Sequence, residues 1–198
     1  LFRSHRIQIR TVAASDARMG GAAFPAMTNS GSGNQGIAAT EPVTVVADSL
    51  GVTPERRLRA LALSSMVAIY AHGYLPKLSA FCATVTASMG AAAGMAWLLA
   101  EKDPLQVIEK ALATMSGSIV GMVCDGAANS CSMKVSASVH AAYEAVLLAL
   151  NDVRVQGTDG LVANAAEECL KNVGLLASRG MQQTDDEILK IMLQKNKA

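Results

Sequence analysis

Aromatic side chains are scarce: Phe, Trp and Tyr make up 4% of the 198 residues, although hydrophobic residues reach 51%. A core must therefore be built from Ala, Val, Leu, Ile and Met. Small side chains let helix axes approach, so this composition favours packed helices over a sandwich of strands. Net charge is scarce as well. A formal +1 from 17 basic and 16 acidic residues gives no reason to propose nucleic acid or an acidic surface as partner. No apolar leader is present at the start, where Arg3, His5, Arg6 and Arg10 stand instead. Four cysteines in such a chain read as reduced, cytoplasmic thiols and not as a disulfide framework. Also missing are a Ser-His-Asp ordering, a His-Glu-x-x-His motif and a paired-carboxylate spacing, so no general base is obvious. The chain opens on Leu1 without an initiating Met, and its natural start is expected upstream.

One long uncharged run, residues 82–100, raises the question of a membrane span. Its Thr84, Thr86, Ser88, Gly90 and Gly94, and the alanine that makes up much of its bulk, favour a helix buried among other helices. No membrane partner is expected.

Most of the chain carries helix punctuation. Residues 7–19 admit either a short strand or a helix. Residues 27–36 form a loop, and 37–50 a helix with Pro42 in its first turns or at a kink. Thr53-Pro54-Glu55 starts a helix that runs to about Ala71, with Thr at the N-cap and Pro at the first helical position. A second long helix is predicted over 77–100. Asp103-Pro104 repeats the cap signal for 105–118, and 133–150 is helical and mostly apolar. After a polar break at 151–160, helices are predicted over 163–176 and 185–194, the last opened by the capping box Thr184 to Glu187. No alternating run is long enough for a strand. The expected fold is mainly α: one compact helical domain over 1–198, with an Ala/Gly-rich core and a glycine-rich loop near the N-terminus.

Two stretches carry candidate chemistry. Cys124-Asp125-Gly126-Ala127-Ala128-Asn129-Ser130-Cys131 places two thiols at the ends of a run of small and turn-forming residues, with Cys82 upstream. Thiolates select soft metals, and three cysteines without a fourth nearby suit an iron–sulfur cluster with one open iron. Zinc would ask for a fourth His or Cys at a recognisable spacing. The same cysteines also fit the ordinary role of small buried hydrophobes, and the residues alone leave both readings open. Cys169 reads as a packed or surface thiol. Asp125 is expected to bond loop amides, Lys134 either to pair with a nearby charge or to reach solvent. Arg18 either serves a carboxylate or pairs with Asp16, and His72 and His140 read as structural histidines. The second stretch is Ser30-Gly31-Ser32-Gly33-Asn34-Gln35-Gly36. Its glycines let backbone N–H groups converge on an anion, with a following helix adding its positive end. It is neither a Walker A loop nor a dinucleotide fingerprint.

Together these motifs resemble the iron–sulfur serine dehydratase alpha-domain family, in the branch that includes L-cysteine desulfidase, over about residues 14–181. The resemblance implies a [4Fe–4S] cluster on Cys82, Cys124 and Cys131. It implies a pocket for the substrate's carboxylate and amino groups at Ser30, Gly31, Ser32, Gly33, Asn34 and Gln35. The reaction implied is β-elimination: L-cysteine to pyruvate, ammonia and sulfide as first choice, L-serine to pyruvate and ammonia as second. Family members are longer, so this chain would be the C-terminal part of a larger protein. In the desulfidase branch the base is attributed to a cysteine near the family's N-terminus, in a part this chain lacks. The partners implied are a small amino-acid substrate and that missing N-terminal part; a homo-oligomer stays open. The reading from a different class is a non-catalytic helical module with structural cysteines.

Overall fold

Residues 2–195 are described by a computed structural model, in which the chain forms eight α-helices and one π-helical turn. They are α1 (Phe2–Met19), α2 (Gly33–Leu50), α3 (Pro54–His72), α4 (Thr84–Leu99), α5 (Pro104–Ser118), α6 (Cys131–Leu150), α7 (Ala166–Leu175) and α8 (Gln182–Lys195), with the π-turn Leu176–Gly180 between the last two. The only β pairings among the described residues are two isolated bridges, Asn29 with Ser32 and Phe81 with Val123. The mainly α expectation holds.

The helix α4 is central. Fourteen of its 16 residues are buried, the pattern of a helix enclosed on all sides, and α2, α3, α5 and α6 all pack on it. Its glycines set how close α3 comes. A β-carbon on Gly90 would lie 2.3 Å from the Ser64 carbonyl oxygen, and one on Gly94 would lie 2.9 Å from the Ala60 carbonyl oxygen. Opposite them α3 presents Ala60, Ser64 and Ala68, all buried and one turn apart. The Ser64 hydroxyl donates to the Ala39 carbonyl at 2.7 Å and so ties α3 to α2. Alanine and glycine supply the core here because their small size lets backbones meet. At 16 residues α4 is also short for a bilayer, and no helix among the described residues is long and apolar enough to cross a membrane.

Several boundaries differ from the sequence expectation. Residues 7–19 belong to α1, which buries Ile7, Thr11 and Ser15 on one face. Two of those three are polar, which hides the apolar period. Thr11 donates back to the Ile7 carbonyl at 2.6 Å, and Ser15 to the Asn34 side-chain oxygen at 3.1 Å. The helix expected over 77–100 starts only at Thr84. The backbone of residues 80–82 is committed elsewhere: the Cys82 N–H donates to the Met122 carbonyl at 3.0 Å, and the Cys124 N–H to Ala80 at 2.6 Å. Since α2 begins at Gly33, Pro42 sits in its interior and not in its first turns. Thr184 falls inside α8, which begins at Gln182, so the capping box is not formed. The Thr53 and Asp103 caps are as expected, their side chains accepting from Arg56 N and Gln106 N.

A methyl group at Gly90 would press on α3 backbone, which cannot swing aside as a side-chain tip can. Gly90→Ala is expected to destabilise the fold by about 1–3 kcal/mol, against the roughly 1 kcal/mol that alanine gains over glycine in an open helix. Urea unfolding followed by circular dichroism measures both sign and size.

Candidate active site

The two candidate stretches meet in one cavity of about 460 Å³, within the range of small-ligand sites. Its lining includes Ser30, Gly31, Ser32, Asn34 and Gln35 from the glycine-rich loop and the start of α2. It also includes Cys82, Cys124 and Cys131, with Arg18, His72 and Lys134 around them. Gly33 is not in this lining but adjoins it through Arg18: a β-carbon there would fall 2.4 Å from the Arg18 Nε.

Each thiol is placed by a different device. Phe81 pairs antiparallel with Val123, which makes Cys82 and Cys124 diagonal neighbours on that pairing. Such neighbours are separated by roughly 7–8 Å. Cys131 is the first residue of α6. Its Sγ lies 3.5 Å from the Gly126 carbonyl oxygen. Cys82 is buried, Cys124 exposed and Cys131 between the two. Behind Cys82 the Thr84 hydroxyl lies 3.0 Å from its Sγ and 3.1 Å from the Ser138 hydroxyl. Burial pushes the Cys82 thiol above its ordinary pKa; Thr84 opposes this, nearby Cys124 adds to it, and Lys134 opposes it. Two sulfurs on a single ion would lie within about 4.6 Å of each other. No three His, Cys, Asp or Glu side chains among the described residues are arranged to hold a single ion.

Lys134 is ion-paired with Asp125. Burial disfavours its ammonium, but the Asp125 hydrogen bond and charge, with Cys82 and Cys131 nearby, hold its pKa above the ordinary value. Asp125 therefore spends its carboxylate mainly on Lys134, not on loop amides as expected, and its pKa is lowered chiefly by that hydrogen bond.

The glycine-rich loop is a tight turn. Asn29 and Ser32 exchange backbone hydrogen bonds of 3.1 Å in both directions. Ser30 and Gly31 between them have φ of 49° and 91°, the sign pattern of a type I′ turn. Asn29 anchors the turn by donating from Nδ2 to the Ser65 carbonyl at 3.2 Å. Ser32 is the N-cap of α2, but its side chain caps no amide. The first N–H groups of α2 are thus left without a side-chain cap beside the cavity. Gly36 allows the close approach: a β-carbon there would lie 1.9 Å from the Met27 carbonyl oxygen. Arg18 has no carboxylate partner among the described residues, Asp16 included; its Nη1 lies 3.3 Å from the Met19 sulfur.

The remaining candidates divide. Cys169 is buried away from the cavity with Ala113 and Val162, accepting from the Ala163 N–H at 3.2 Å. It is a packed thiol, as expected. His140 is exposed on α6 and not a buried structural histidine. His72, read as structural, lines the cavity. Sequence reasoning missed the Thr84–Ser138 pair and the Thr86 contact to His72. Hydroxyls on an Ala-rich helix carry no positional signal until the helix has neighbours.

The chain matches the model of the family described as serine dehydratase alpha chain over residues 2–190. It is 57% identical over 192 residues to UPF0597 protein YhaM of Escherichia coli (strain K12 / DH10B), covering 97% of this chain and 44% of that protein. The same figures hold for UPF0597 protein YhaM of Escherichia coli O157:H7 (strain EC4115 / EHEC). The chain thus spans less than half the length of these curated relatives. No solved structure matches it.

Exposure orders the thiols. With the folded chain under a thiol reagent, Cys124 is expected to label first, Cys131 next and Cys82 slowly, while Cys169 labels only on unfolding. Peptide mass mapping over a time course checks the order.

Proposed function

Because the chain belongs to the serine dehydratase alpha chain family, we propose that it is the cluster-bearing part of a lyase. The reaction is β-elimination from a small L-amino acid, L-cysteine first and L-serine second. The observation that carries this reading is the convergence, in one cavity, of three thiols, an Arg18 guanidinium without a carboxylate partner among the described residues, and the uncapped start of α2. The residues that would hold a [4Fe–4S] cluster are Cys82, Cys124 and Cys131. Their donor set fits: all sulfur, three in number, and lining one cavity. A bound cluster with an open iron supplies a Lewis acid.

The chain's own residues would do the rest. The Arg18 guanidinium and the first amides of α2 take the substrate carboxylate, a charge-assisted arrangement that adds no titrating group. Asn34 and Gln35, both buried at the cavity wall, offer side-chain donors and acceptors to the amino group. Ser30 and Ser32 stand at the turn beside them. The Lys134 ammonium, held by Asp125, opposes the burial that disfavours a thiolate at Cys82. After elimination, aminoacrylate tautomerises and takes up water to give pyruvate and ammonia. The whole enzyme includes more chain than is described here, and turnover belongs to the complete protein.

Two experiments test the reading. Anaerobic reconstitution of Cys82→Ser, Cys124→Ser and Cys131→Ser proteins is expected to give no cluster, with Cys169→Ser like the parent; bound iron, acid-labile sulfide and visible absorbance measure this. Normal iron in Cys124→Ser would sink the ligand assignment. In the complete protein, Arg18→Ala removes a charge-assisted bond worth roughly 1.5–3 kcal/mol, so the KM for substrate is expected to rise about tenfold or more with cluster absorbance unchanged. Gly33→Ala, which pushes Arg18 off the start of α2, is expected to weaken binding in the same direction and by less. Unchanged kinetics in both would reduce the loop to a helix-capping turn.

A further inference from the structure

Helix α3 is apolar on two opposite faces. Ala60, Ser64, Ala68 and Ala71 form its buried face, and its packing partners are α4 and α2. Two residues before each of them stand Leu58, Ala62, Met66 and Ile69, and a step of two residues is about 200° of helix. These four therefore make a stripe on the opposite side. All four are exposed, Leu58 at 66%, Met66 at 62% and Ile69 at 54%. From Ala60 to Ala71 the helix has no charged residue. A helix at a solvent surface sets charged residues opposite its core stripe, and one that is apolar all round is a buried helix. Among the described residues nothing buries the outer stripe of α3.

We infer that this outer face of α3 is the docking surface for a further part of the same protein, outside the 198 residues. Relatives 57% identical over 97% of this chain have only 44% of their own length in the match. In such proteins a body of chain at least as large accompanies this one. A tethered body needs no encounter from solution, because the connection sets a high effective concentration. The chemistry of the stripe fixes the kind of face it takes. A charged partner surface would lose water here with nothing to pair its charges, so the partner face is apolar. The surface also leads to the cavity. The Asn29 side chain donates to the Ser65 carbonyl at 3.2 Å, which ties the segment with Met27, 83% exposed, to the middle of α3. Past the end of α3, Leu78 is 92% exposed and stands in the cavity lining. Single exposed apolar residues are ordinary, whereas a continuous apolar stripe marks an interaction surface. The inference does not depend on the elimination reading, since the stripe is apolar whatever the cavity binds.

The test has two arms, both in the complete protein. Met66→Cys and, as reference, Glu109→Cys on the exposed side of α5 are treated with iodoacetamide, and peptide mass mapping separates them from the native cysteines. Each rate is divided by that of the same variant unfolded in urea. Met66→Cys is expected to be slowed about tenfold or more beyond Glu109→Cys; equal slowing overturns the inference. In the second arm the photo-crosslinker p-benzoylphenylalanine replaces Met66, and mass spectrometry identifies the peptide it captures. Capture of peptides outside the 198 residues is expected. Capture confined to peptides of these 198 residues, as a second copy on the stripe would give, overturns the inference, and so does no capture at all. Should the Met66 variants fail to fold, Leu58, two turns away on the same stripe, takes both the cysteine and the crosslinker with the same expected and overturning results. A complete protein that eliminates neither L-cysteine nor L-serine would overturn the proposed function and leave these outcomes unchanged.

Discussion

The backbone-to-backbone approach of α3 and α4 underlies everything else in the molecule. Gly90 and Gly94 leave no room for a β-carbon against the Ser64 and Ala60 carbonyls, so the two helices meet at a distance that larger residues would forbid. That approach places both ends of the site. It brings His72, at the end of α3, to the Thr86 hydroxyl in the first turn of α4, and it sets where the segment before Thr84 must lie. Cys82 in that segment is then in reach of the Met122 carbonyl and the Thr84 hydroxyl. A core of alanine and glycine has little apolar area per residue to bury, so its stability leans on many close contacts.

Electrostatics links the charged groups of the cavity to its thiols. Burial makes the Cys82 thiol reluctant to lose its proton. Lys134 works against that reluctance from the far side of the loop, and Asp125 keeps Lys134 charged and in place. The ion pair thereby joins the cysteine loop to α6 and biases its chemistry at once. Arg18 and the start of α2 lie on another wall, where no carboxylate among the described residues pairs with Arg18. The cavity therefore has a thiol-lined side and a side with Arg18 and the start of α2, with His72 also in its lining.

Much of this was legible in local patterns. Caps such as Thr53 with Pro54 and Asp103 with Pro104 depend on one turn of chain, and they hold. The glycine-rich loop announced a tight backbone, and the Ser30–Gly31 turn provides it. Whether residues 7–19 form a helix or a strand was obscured by Thr11 and Ser15 on the buried face of α1, because hydroxyls satisfied within the fold look exposed in a sequence. The early start assigned to the helix containing Thr84 had a different cause. Residues 77–83 have adequate helix propensity, but their backbone groups find partners forty residues on, at Met122 and Cys124. Propensity contains no term for such a partner.

Composition and spacing by themselves determined a helical fold with a small-residue core, two caps and a glycine turn, since each depends on residue type and near neighbours; the role of the three cysteines they left open. Only the tertiary structure decided which of those features share a cavity, that Lys134 takes Asp125, and that His72 lies against Thr86. These are relations between groups far apart in the chain, and their distances exist only once α3 and α4 have closed on each other.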